Sequence, residues 1–129
     1  MRFLRKFNEA VNKKELKEFC EEYLAYLIDE GFEIEIVSED RLEFVHIYDY
    51  QDRTFQWSEV KDHFIPFLRM LELNYNLEDK RNGNLVCFDY LHNHRLYNLN
   101  QILNDNLRNK DKKDPTLRGL WVYNIRSKK

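Results

Sequence analysis

Glycine and proline are scarce in this chain, three and two among 129 residues. That excludes a linker-rich, low-complexity protein and a phosphate loop built from repeated glycines. Cys20 and Cys87 are too few and too far apart for a disulfide framework, so free thiols in a reducing cytoplasm are expected. No apolar run approaches the roughly 20 residues that span a bilayer. The basic opening, residues 1–7, is followed by charged residues instead of the apolar core of a signal peptide. A cytoplasmic protein without a membrane partner is expected. An excess of one charge is missing too: 21 Lys and Arg against 23 Asp and Glu give a net charge of -2, which describes a mixed-sign surface rather than a general polyanion binder.

Aromatic residues, by contrast, are abundant. Nine Phe, eight Tyr and two Trp bring the aromatic share to 15%, more than a disordered chain carries, so a packed core is expected. A domain of this size buries roughly two thirds of the surface its unfolded chain exposes, and no linker divides the sequence. Residues 1–129 read as a single α+β domain.

Between residues 12 and 31, Leu16, Phe19, Cys20, Tyr23, Leu24, Leu27 and Ile28 recur at helical spacing. Asn12 and Glu15 form a potential capping box, and Gly31 suits the left-handed residue that closes a helix. Phe32, Ile34 and Ile36 then alternate with Glu33 and Glu35, the pattern of a strand with one wet face. A turn at 38–41 leads to a strand over 42–49, apolar on both faces: Leu42, Phe44 and Tyr48 on one, Val45 and Ile47 on the other. Such a strand belongs inside a sheet with a helix layer on at least one face. Val60, Phe64, Phe67, Leu68, Leu71 and Tyr75 restore the helical period, with Ser58 as candidate cap and Pro66 as a kink or a restart. Asn82 and Gly83 signal a turn. Strands at 85–91 and 120–125 and a short helix within 97–107 complete the reading. Helices packed on a mainly antiparallel sheet follow. If residues 2–7 form a strand, the first ninety residues take the ferredoxin-like order βαββαβ, with a C-terminal helix and strand added.

Charge is unevenly distributed. Residues 1–49 carry net -6, residues 50–79 net -3, and residues 80–129 net +7, the last from eleven basic and four acidic side chains. This basic third also holds Tyr97, Trp121, Tyr123 and nine of the thirteen asparagines. Cations beside stacking surfaces suit single-stranded nucleic acid, and that reading requires Arg108, Lys110, Lys112, Lys113, Arg118 and Arg126 to converge on one face. The plainer alternative makes the rings core residues and the cations a solvated loop and tail.

The stretch CFDYLHNHR, residues 87–95, gathers a thiol, a carboxylate and two imidazoles. On one continuous strand His92 and His94 would share a face, with Cys87 and Asp89 on the opposite pleat; a turn at Asn93 would regroup them. Two ligands do not make a zinc site, and a third would have to come from His46, His63 or a distant carboxylate. The likeness to the HNH nuclease motif is one of spelling only. No nucleophile elbow or paired-cysteine motif is present, so no metal, cofactor or catalytic residue is assigned.

Tyr48, Tyr50, Phe55 and Trp57 crowd one connection. Those left exposed would suit protein recognition, because Tyr and Trp offer large contact area at small entropic cost. The segments MRFLRKFNEA and FQWSEVKDHFIPFLRML resemble short uncharacterised proteins of phage and phage-like genomes. The resemblance implies context alone: a small accessory protein in an infected bacterial cell. The leading expectation is a non-enzymatic domain that binds a protein partner, with the single-stranded nucleic-acid module second.

Overall fold

The computed structural model describes residues 13–40, 42–77 and 84–127. Residues 2–7, Asn12, Asn82 and Gly83, on which a first strand, a helix cap and a turn were expected, lie outside them. In chain order the elements are α1 (Lys13–Tyr23), α2 (Ala25–Asp29), β1 (Phe32–Glu39), β2 (Leu42–Asp49), β3 (Phe55–Gln56), α3 (Trp57–Asn74), β4 (Tyr75–Leu77), β5 (Asn84–Asp89), β6 (His94–Asn98), α4 (Leu99–Leu103), a 3₁₀ turn (Asn109–Asp111), β7 (Thr116–Leu117) and β8 (Gly119–Ser127).

The helix expected over 12–31 is two segments joined at Leu24. Its apolar stripe survives, because the Leu24 N–H still donates to the Cys20 carbonyl at 2.8 Å and the Leu24 carbonyl still receives the Ile28 N–H at 3.0 Å. Leu16, Cys20, Leu24 and Leu27 are all buried, whereas Tyr23 turns outward. Gly31 follows with φ +100°, a conformation open to glycine at no steric cost, and its carbonyl accepts the Tyr50 N–H at 2.9 Å. That bond ties the end of α2 to the end of the β1–β2 hairpin.

Helix α3 runs through Pro66 as one element of 18 residues. Its cap is Gln56, whose N–H donates to the Glu59 carboxylate at 2.7 Å; Ser58, the expected cap, lies inside the first turn. Asp114, distant in sequence, accepts from both the Ser58 N–H and hydroxyl, at 2.7 and 2.6 Å. The short β3–β7 pair and the Trp57 N–H on the Pro115 carbonyl at 2.9 Å fasten the same loop to the helix start. Tyr75, expected on the helical stripe, instead opens β4 and pairs with Ser127.

The main sheet is antiparallel, in the order β1-β2-β8-β5-β6, with β4 alongside the far end of β8. The chain is thus α+β, with helices on an antiparallel sheet. The centre, between β2 and β5, is held by the C-terminal β8, where a ferredoxin-like sheet places its first strand. Residues directly opposite share a face. One face therefore carries the rows Val45–Val122–Val86–Tyr97 and Ile47–Leu120–Phe88–Arg95. With the exception of Arg95 these residues join Leu16, Leu24, Phe64, Phe67, Leu68 and Ile102 in a single core. Burying each large apolar side chain stabilises by roughly 1.5–3 kcal/mol, which holds the described helices on this side. β8 carries one extra residue between Val122 and Ile125, and Asn124, at φ +59°, absorbs it, which returns Ile125 to the core side.

Candidate functional site

The opposite face of the sheet carries two other rows: Glu35–His46–Trp121–Cys87–Leu96 and Glu33–Tyr48–Gly119–Asp89–His94. Phe44 and Tyr123 extend it, ring edge to ring face at 5.7 Å. Phe44, His46, Tyr48, Trp121 and Tyr123 are each half-buried and stand outside the apolar core. They pack on one another. His46 stacks on Trp121 at 4.0 Å and lies 4.7 Å from Tyr48, while Trp121 lies 6.2 Å from Tyr123. Among the described residues no helix covers this platform.

Carboxylates border it. Glu35 lies 3.7 Å from His46 Nδ1, and Glu33 accepts the Tyr48 hydroxyl at 3.0 Å. Burial lowers the His46 pKa below the usual histidine range, against the raising influence of Glu35 and Asp89, and the neighbouring Arg118 lowers it further. Beneath the rings Cys87 pairs with the Tyr123 hydroxyl, and burial is the main cause of the raised pKa of both. The thiol is a buried protonated group, not an exposed thiolate.

The residues singled out in the sequence scatter. Of the aromatic connection, Phe55 and Trp57 are 5% and 3% exposed; Phe55 meets Phe32 edge on, and Trp57 packs against Phe64 and Phe88 while its Nε1 donates to Asp105 at 3.0 Å. Both are core residues and offer no contact surface, because the chain after β2 folds inward to start α3. Tyr50 is exposed over Gly31, and Tyr48 alone of the four belongs to the open face. Phe44, His46 and Glu35 complete a surface that the alternation of β1 and β2 displayed, once the described helices pack on the Val45 and Ile47 side.

The six cations do not converge either. Arg108 and Lys110 line one groove, Lys112 lines a different hollow beside Trp57 and Asp105, and Arg118 Nε faces Asp52 at 3.8 Å. Arg126 pairs with Asn76 at the β4 end of β8, seven residues from the Gly119 end, or about 23 Å along the strand. Lys113 is exposed in the turn after the 3₁₀ element.

The CFDYLHNHR stretch is a hairpin. β5 ends at Asp89, the Tyr90 N–H donates to the Asn93 carbonyl at 2.8 Å, and β6 begins at His94. The turn places Cys87, Asp89 and His94 on the same face, with His92 exposed at the tip. Among the described residues no three His, Cys, Asp or Glu side chains converge as metal ligands, so the His92 and His94 pair has no third partner there.

Behind β6 the buried Asp111 accepts hydrogen bonds from the Tyr90 and Tyr97 hydroxyls and, at 3.3 Å, from Arg95 Nη1. Burial, then the Asp111 carboxylate, pushes the Tyr97 pKa up to about 12 and raises that of Tyr90 as well. Both hydroxyls remain donors near neutral pH. No protein-family model, curated protein or solved structure matches the chain.

Proposed function

We propose that this chain is a small non-enzymatic binding domain that docks a protein partner on the sheet face that none of the described helices covers. The observation that carries the reading is the platform of Phe44, His46, Tyr48, Trp121 and Tyr123, half-buried and bordered by Glu33, Glu35 and Asp89. Rigid rings supply contact area at small entropic cost, and the flanking carboxylates favour a partner surface that brings Lys or Arg among apolar side chains. A cation over Trp121 or Tyr123 would gain from both ring and carboxylate. The same carboxylates disfavour a phosphate backbone on this face. The buried free thiols Cys20 and Cys87 agree with work in a reducing cytoplasm, and the phage-like sequence segments suggest a bacterial host.

The test is affinity capture from bacterial lysate with the wild type, Trp121→Ala, Glu35→Lys, and Tyr26→Ala, an exposed ring stacked on His63 in the helix layer, as a remote aromatic control. A partner retained by wild type and the control but lost from the two platform variants, with salt-weakened binding, supports the reading. Identical captures by all four proteins would sink it.

A further inference from the structure

A second site lies around the edge strand β6. His94, Arg95 and Leu96 form one wall of a groove of about 730 Å³, and Arg108, Asn109 and Lys110 form the other. We propose that this groove, which meets the open sheet face at His94 and Leu96 and is carried beyond it by Arg108, Asn109 and Lys110, binds the phosphodiester backbone of single-stranded nucleic acid.

Charge within the groove is unbalanced. Arg95 is committed to Asp111, whose carboxylate also receives two tyrosine hydroxyls and is buried away from the groove. Arg108 and Lys110 have no carboxylate within ion-pair distance among the described residues. Arg108 is nevertheless held in place: Nη2 donates to the Leu96 carbonyl at 2.5 Å, and its guanidinium lies 4.8 Å from the centre of the Tyr97 ring. A guanidinium carries five N–H donors, so others stay available for phosphate oxygens while the side chain is already ordered. Lys110 adds a second exposed cation, Asn109 an amide and His94 an imidazole. Asp89 stands opposite His94 on β5.

The shape favours a chain of phosphates. The exposed donors Arg108, Asn109 and Lys110 face His94 across an open trough, unlike the closed cradle of backbone N–H groups that a lone phosphate takes. A flat lipid surface would meet the walls rather than the groove. Neutralising each phosphate releases counterions, so binding must weaken with salt.

Fluorescence anisotropy with labelled oligothymidylate tests this, with wild type, Lys110→Gln, Arg108→Gln/Lys110→Gln and the α1 control Lys17→Gln, folding being checked by circular dichroism. Between about 50 and 200 mM salt the wild type is expected to bind with a negative log–log slope. Lys110→Gln should reduce the slope by about 1, the double variant should lose binding, and Lys17→Gln should match wild type. Absence of binding at the lower salt, or equal weakening by Lys17→Gln, overturns the proposal. So does displacement of the oligonucleotide by millimolar inorganic phosphate at constant ionic strength, which would mark a small-anion site, or binding to anionic phosphatidylglycerol vesicles without binding to the oligonucleotide. Because Lys110 and Arg108 lie off the docking platform, these variants leave protein capture intact if both readings hold.

Discussion

His46 and Trp121 lie face to face on neighbouring strands, ring centres 4.0 Å apart and planes 6° from parallel, at the middle of the open sheet face. The stack joins the ring of an ionisable residue to a tryptophan reporter. The other tryptophan, Trp57, is buried in the core, so the two indoles report separate regions.

Burial lowers the His46 pKa in the folded chain, although Glu35 and Asp89 oppose it. As pH falls through the ordinary histidine value of about 6.5 the unfolded chain takes up this proton first. The stability contributed by neutral His46 is therefore present above that value and is lost as pH drops towards the folded pKa. Urea unfolding of wild type and His46→Gln at about pH 7.5 and about pH 5.5 isolates the effect, since other carboxylates cancel in the difference. Wild type should lose more stability than the variant; equal losses would refute the assignment.

Gly119 makes room for that imidazole. A Cβ there would sit 2.9 Å from His46 Nε2, so Gly119→Ala must push the ring off Trp121. The cost expected is about 1 kcal/mol, the scale of an aromatic pair, with a shift in Trp121 emission and no change in the acrylamide protection of Trp57. An unchanged emission spectrum would mean that the stack tolerates the methyl group.

Asp111 supports the wall of the basic groove. Asp111→Ala removes the acceptor for Tyr90, Tyr97 and Arg95 together. Stranding a partly buried cation and two hydroxyls should cost about 3 kcal/mol, read as a lower urea midpoint at constant m-value. Asp111→Asn keeps an acceptor and should cost less. A loss below that of an ordinary surface pair would show that water replaces the carboxylate.

Thiol chemistry offers a fourth check. Burial, helped by Glu21, pushes the Cys20 thiol up to about 12, and burial raises Cys87 as well. Native protein at neutral pH should react slowly with Ellman's reagent and yield two thiols in denaturant. A rapid stoichiometric reaction of the native chain would place one of them at the surface.

Local chemistry was legible wherever it depended on near neighbours. The stripe from Leu16 to Leu27, the alternation of β1, the bounds of β2 and the closing role of Gly31 all follow from spacing and side-chain type. Local preference gives way where a distant residue intervenes. Asp114 captures the Ser58 donors, and the pull of the core on Phe55 and Trp57 removes half of the expected aromatic surface. The edge strand at His94–Asn98 was hidden because its pairing with β5 is settled by the hairpin at Asn93, within a stretch that reads equally well as one strand.

The sequence by itself determined the α+β class, the amphipathic faces and the concentration of positive charge after residue 80, because periodicity and composition act over a few residues. Only the tertiary structure decided that β8 takes the centre of the sheet, that the described helices pack on one side, and that Arg108 and Lys110 part from Lys112, Arg118 and Arg126. Strand order and side-chain convergence depend on which distant segments bury the most apolar surface together, and residues far apart in the chain carry no local mark of that outcome.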